Sequence, residues 1–134
     1  MKNIILILFP ILFFYSCASN YRGYKEFALS PDAQSWKNDT CGLKYLRYDI
    51  ASKIKRHKKI FIGIKDKELT RAIGEPDFIR SYDMSEYPDA IFYEYSLSSV
   101  ERINGKCGDP ATYSLCFIIH KDTHKVIGIQ RDIY

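Results

Sequence analysis

Gly63-Ile64-Lys65-Asp66-Lys67-Glu68-Leu69-Thr70-Arg71-Ala72-Ile73-Gly74-Glu75-Pro76-Asp77 decides the fold. Ile64, Leu69, Ala72 and Ile73 give a short amphipathic helix one buried side. Asp66 and Glu68 put negative charge in its first turn, where the helix dipole favours it. Gly74 can take the left-handed conformation that ends a helix, and Pro76 forbids a further turn. Gly63 frees the chain just ahead. Residues N-terminal to this stretch read as helical and basic, and those C-terminal to it alternate with a period of two. The stretch is therefore expected to hinge a helical half onto a sheet.

Upstream, Trp36-Lys37-Asn38-Asp39-Thr40-Cys41 leads into a helix that Asp39 or Thr40 can cap. Leu43, Leu46, Ile50 and Ile54 follow at helical spacing with Ala51 beside them, so the helix should run to about His57. Tyr45 and Tyr48 flank the stripe, and Trp36 is expected to pack under the helix. Lys53, Lys55, Arg56, Lys58 and Lys59 cluster around His57. Cations suit a helix C-terminus and a solvated face; the functional alternative is contact with anionic lipid headgroups or an acidic partner. Ile60-Phe61-Ile62 reads as a buried connector.

Further upstream, Ala18 to Ser35 is polar and aperiodic, with Gly23 and Pro31 as breakers. It reads as a tether, with Phe27 and Leu29 as the residues able to dock. Eighteen residues at ~3.3 Å each reach roughly 60 Å. The first sixteen residues read as a targeting signal: Lys2 is followed by the apolar run Ile4 to Tyr15, too short to span a bilayer as a helix. The run ends at Phe14-Tyr15-Ser16-Cys17, which resembles a bacterial lipobox. That resemblance implies acylation of Cys17, whereas a secretory peptide with a chance Cys and an uncleaved anchor are the alternatives. The expected organisation is a signal peptide over 1–16, a lipidated Cys17 and tether over 17–35, and one domain over 36–134.

Downstream, Phe78 to Tyr82 is expected to form a first strand. In the second, Ile91, Tyr93, Tyr95 and Leu97 alternate with Phe92, Glu94 and Ser96. Ser98 to Pro110 reads as a long polar loop. Tyr113 to His120 and Val126 to Asp132 are the remaining strands, joined at Lys121-Asp122-Thr123-His124. Short turns between consecutive strands imply an antiparallel sheet, and two helices ahead of it can cover one face. The fold class is α+β: two N-terminal helices on one face of a three- to four-stranded antiparallel sheet, in the order α-α-β-β-β.

Composition bounds the chemistry. The chain has 134 residues, a formal charge of +4 and eleven Tyr. Without residues 1–16 it carries 19 basic and 16 acidic residues, about +3, which gives no reason to expect nucleic acid. Tyr suits strands and contact faces.

The Gly63–Asp77 motif, the aromatic strands, Cys116-Phe117-Ile118-Ile119 and the Lys125-Val126-Ile127-Gly128 turn together resemble the SmpA/OmlA (BamE-like) small lipoproteins. Lys65 stands where that family tends to carry a Ser or Thr cap, so Asp66 would cap one residue later. The resemblance spans about Leu43 to Arg131. It implies the fold and the cell envelope, with the outer membrane as the expected location. No partner-contacting residue carries over.

The candidate chemistry is sparse. With Cys17 assigned to lipid, Cys41, Cys107 and Cys116 remain in an oxidising compartment. Cys116 lies within a strand and suits a buried thiol. A Cys41–Cys107 bond would close about 66 residues and contribute ~4 kcal/mol in the chain-entropy model; a Cys107–Cys116 bond and no bond are the alternatives. His120 and His124 flank a turn with Asp122, short of the three or four ligands of a zinc site. Asp83 and Glu86 fall in a loop. There is no phosphate loop, nucleophile elbow or dinucleotide fingerprint, so no cofactor, metal or catalytic residue is expected. Phe92, Ile118 and Tyr82 are expected on the second sheet face as a contact patch, unless the long loop or the tether folds across it. The reading is a lipid-anchored, non-enzymatic envelope protein that binds other proteins, in outer-membrane assembly or maintenance. A periplasmic enzyme using Cys107 or the His pair, or a module inhibiting an envelope enzyme, is the alternative.

Overall fold

The computed structural model describes residues 21–98, 102–104, 106–107 and 113–131. Cys17 and the expected signal peptide lie outside the described residues. The helical layer holds α1 (Tyr24–Ala28), α2 (Pro31–Asn38), α3 (Leu46–Arg56) and α4 (Asp66–Ile73), with single 3-10 turns at Thr40–Gly42 and Lys58–Ile60. The strands are β1 (Phe78–Arg80), β2 (Ala90–Ser96), β3 (Arg102–Ile103), β4 (Lys106–Cys107), β5 (Ser114–His120) and β6 (Val126–Arg131). β1, β2, β5 and β6 form one antiparallel sheet in the order β1-β2-β5-β6, and β3 and β4 pair separately. The α+β class and the helices-before-strands order are as the sequence implies. Two short helices are added, and the expected long loop contains the β3–β4 pair.

The stretch read as a polar tether is corrected from Tyr21 onward. Ser30 caps α2 by accepting the Ala33 N–H at 3.2 Å, and Pro31 occupies the first turn, where its missing N–H costs nothing. Pro31 thus starts a helix rather than breaking one. Phe27 is fully buried, edge-on to Phe61 at 4.9 Å between ring centroids. The other docking residue suggested by sequence, Leu29, is 89% exposed.

α4 spans the residues its sequence marks, but it starts one residue before an Asp66 cap would place it, with Lys65 at the N-cap and Asp66 as the first helical residue. Gly63 and Gly74 both hold positive φ, +88° and +87°. Lys65 is extended at the N-cap; the Glu68 carboxylate accepts its N–H at 3.4 Å and Asp66 accepts from Lys67 at 2.7 Å. The hinge is stitched to the sheet. Gly63 N–H donates to Val126 O at 2.8 Å, Val126 N–H to Ile64 O at 2.9 Å, and Asp66 N–H to His124 O at 2.8 Å.

Two tyrosine hydroxyls hold α4 from opposite ends. Tyr24 donates to the Glu68 carbonyl and Tyr95 to the Gly74 carbonyl, the latter at 2.9 Å. Burial, then the nearby Glu68 charge, raises Tyr24 to about 12; burial raises Tyr95 well above the usual value. An unfolded Tyr ionises near 10.0. The folded state therefore keeps protons that the unfolded state gives up. The stability these hydroxyls confer is complete below about pH 10 and is lost as pH rises through the folded values. Denaturant titrations across this alkaline range should show falling stability, with a shallower fall in Tyr24→Phe. An equal slope in that variant would sever the link.

The main core lies between the helices and one sheet face. Trp36, Ile54, Phe61, Leu69 and Ile73 pack on Tyr95, Leu97, Leu115, Phe117 and Ile119. Trp36 is fully buried, as the sequence suggests, but within α2 rather than ahead of a cap. The second face is not the open patch expected from sequence. Phe92 and Ile118 are fully buried, covered by Tyr82, Met84 and Tyr87 of the β1–β2 connection. Gly128 admits this cover, since a Cβ there would approach the Tyr87 hydroxyl to 3.1 Å. Among the described residues the cover comes from this connection, and β5 is buried on both faces from Ser114 to Ile119.

Candidate functional site

Helix α3 starts later than its apolar pattern suggests. Cys41 and Tyr45 both hold positive φ (+61° and +59°), unusual for residues with side chains, and the chain turns through them before Leu46. Asp39, fully buried, accepts the Lys44 N–H at 2.7 Å and the Arg47 N–H at 3.1 Å. It caps α3 from a distance, satisfying amides that a local cap would otherwise take. Gly42 allows the turn to press on the end of β2. At φ +67°, a Cβ on Gly42 would lie 2.7 Å from the Ser96 carbonyl oxygen, too close for any other residue.

This late start moves Arg47, not Leu46, onto the inner stripe with Ile50, Ala51 and Ile54. Its buried guanidinium bonds Asp77 at 2.6 Å, the Trp36 carbonyl at 3.1 Å and the Ser96 carbonyl at 3.4 Å. It also lies 5.5 Å from the ring centroids of Trp36 and Tyr95. Asp77 extends the sheet beyond β1: its N–H donates to Glu94 O at 2.9 Å, and its carboxylate accepts the Ser96 N–H at 2.7 Å. Beside it, Cys41 and Cys107 form a disulfide with Cα atoms 5.4 Å apart. The Cys107 sulfur is 3.3 Å from the Asp77 carboxylate but, being in the disulfide, has no hydrogen to donate.

Arg47 was the residue most easily missed. Its place four residues before Ala51 and three before Ile50 was the available signal.

The other sequence candidates are scattered. Among the described residues, the one group able to converge on a metal is Cys41, Asp77 and Cys107, and the disulfide removes both thiolates. Cys116 is buried and its thiol is pushed up, by burial first and then by Glu94, the reverse of nucleophile activation. His120 uses Nδ1 to accept the Asp122 and Thr123 amides at 3.3 and 3.4 Å. His124 contacts Asp66 at 3.1 Å and is mostly exposed. These imidazoles serve the β5–β6 turn and the α4 hinge. Asp83 and Glu86 are exposed in the cover segment. Glu94 is fully buried, held by Arg80 at 3.3 Å and by the Tyr82 hydroxyl.

A group of aromatic side chains reaches solvent at the start of α3. Tyr45 is 57% exposed, Tyr113 42% and Tyr48 41%, and with Asp49 and Ser98 they line one shallow cleft. Tyr48 and Tyr113 stand edge to face at 6.0 Å, and the Arg131 guanidinium lies 4.6 Å from the Tyr48 ring centroid. Leu43 and Leu46, placed on the buried stripe by their spacing, are exposed on the same turn of chain. Rigid rings beside a carboxylate suit side-chain recognition better than bond making. Comparison with family models, with curated proteins and with solved structures finds no match for this chain.

Proposed function

We propose that this is a lipid-anchored, non-enzymatic protein of the cell envelope, acylated at Cys17, whose BamE-like domain binds another envelope protein. The observation that carries the binding role is the exposed cleft of Tyr45, Tyr48 and Tyr113. Tyrosines are enriched at contact surfaces because a ring offers large area with little entropy to lose. The disulfide at Cys41 and the buried pair at Arg47 tie down the chain on both sides of Tyr45, which limits the ordering left to be done on binding. Asp49 adds one carboxylate among three aromatic faces. That chemistry fits a partner segment presenting Arg or Lys, stacked on the rings and paired with Asp49. Outer-membrane assembly or maintenance is the process this reading places it in.

The test is a photo-crosslinking residue at Tyr113 in living cells, with the adduct identified by mass spectrometry. The adduct should disappear in Tyr48→Ser and in Asp49→Lys while the folded protein persists. An adduct insensitive to both changes would remove the cleft from the reading. Failure to label Cys17 with radioactive palmitate would remove the anchor separately.

A further inference from the structure

We infer that the basic end of α3 is a docking surface for anionic lipid headgroups, which fixes how the domain stands on its membrane. The inference rests on the acylated Cys17 of the proposed function. As a free tether, residues 18–35 would reach roughly 60 Å. The structure shortens that leash, because the chain joins the folded body at Tyr21. Four peptide steps from Cys17 to Tyr21 span at most ~14 Å.

Tyr21 is itself placed. Its hydroxyl bonds Asp32, and its ring stands edge-on to Phe27 at 5.1 Å and to His57 at 5.7 Å. His57 is the residue at which α3 ends. Lys55, Arg56, Lys58 and Lys59 surround it, all exposed, and none forms an ion pair with a described residue. Lys53, by contrast, is engaged with Asp32 at 2.9 Å.

A helix dipole interacts with cations of its last turn only, and Lys58 and Lys59 lie beyond α3 in the following turn. The anchor therefore keeps the body that carries these four cations on a short leash, from which they can come within a screening length of the headgroups. At roughly fivefold per Lys or Arg near an anionic surface, four favour the docked state by several hundredfold. The tyrosine cleft lies at the other end of α3, whose eleven residues span about 16 Å. Docking by the basic end thus turns the cleft away from the lipid, toward a partner.

The experiment reconstitutes the acylated protein into vesicles of phosphatidylcholine alone or with phosphatidylglycerol, and follows backbone amide exchange over residues 53–60. A second sample carries Lys55→Gln, Arg56→Gln, Lys58→Gln and Lys59→Gln, all solvent-facing changes, with its fold checked by thermal unfolding. Exchange is expected to slow about tenfold or more with phosphatidylglycerol. The slowing should vanish at high salt and in the substituted protein. Equal exchange in both lipids, or slowing that survives the substitutions, overturns the inference. Salt-sensitive binding to polyglutamate without any lipid effect assigns the surface to an acidic protein, and also overturns it. Mass analysis of the Cys17 peptide reads the anchor independently. If it is not acylated, co-sedimentation of the added protein with the same vesicles decides the headgroup contact by the same criteria.

Discussion

Arg47→Met is expected to destabilise the protein by about 3–5 kcal/mol, the range for removing one partner of a buried ion pair. The guanidinium and the Asp77 carboxylate are 3% and 4% exposed, so neither can recruit bulk water when the other is lost. The substitution leaves Asp77 charged and buried and takes a donor from the Trp36 and Ser96 carbonyls, of which Trp36 keeps the Asp39 N–H at 3.2 Å. Asp77→Leu is costly for a different reason, because the Ser96 N–H loses its acceptor at the end of β2. The double variant should be less destabilised than the sum of the singles, yet not restored to wild type. Thermal melts should show Arg47→Met lowered by roughly 10–25 °C. A loss below about 1 kcal/mol would mean that water reaches the pair.

Removing the disulfide ranks beside it. Cys41 and Cys107 are 66 residues apart in sequence, and the chain-entropy model assigns such a closure about 4 kcal/mol. The link ties the β3–β4 pair to the turn that begins the tyrosine surface, so its loss should weaken the cleft as well as the fold. Cys41→Ala with Cys107→Ala is expected to lower the denaturation midpoint by an amount equivalent to about 2–4 kcal/mol. Crosslinking through Tyr113 should fall in parallel. Because the Cys107 sulfur lies 3.3 Å from Asp77, this loss and that of Arg47→Met should not add. An unchanged midpoint would show that the closure constrains nothing in the unfolded chain.

Much of the fold was legible because it rests on local rules. α4 could be read from its first-turn acids, its apolar side and the Gly74–Pro76 stop. The strands could be read from alternation, and a three- to four-stranded antiparallel sheet followed from the turns expected between them. Reading failed where a residue's role depends on something distant. The 21–38 segment looks polar because only Phe27, Ala33 and Trp36 need bury to dock it. The second face looked open because its cover, Tyr82, Met84 and Tyr87, sits in a segment with no period of its own. Leu43 and Leu46 fit a helical stripe on paper, but Asp39 and two positive-φ residues delay α3 and turn both leucines outward.

The amino-acid sequence alone determined the α+β class, the place of α4 as the hinge and a short set of possible cysteine pairings, since caps, periods and turns act within a few residues. Only the tertiary structure decided that Cys41 meets Cys107, that Arg47 meets Asp77 thirty residues away, and that three tyrosines share one cleft. Those meetings depend on how α3 is set against the end of β2. That setting is fixed by Gly42 packed on Ser96 and by a buried charge pair, neither of which has a periodic signature along the chain.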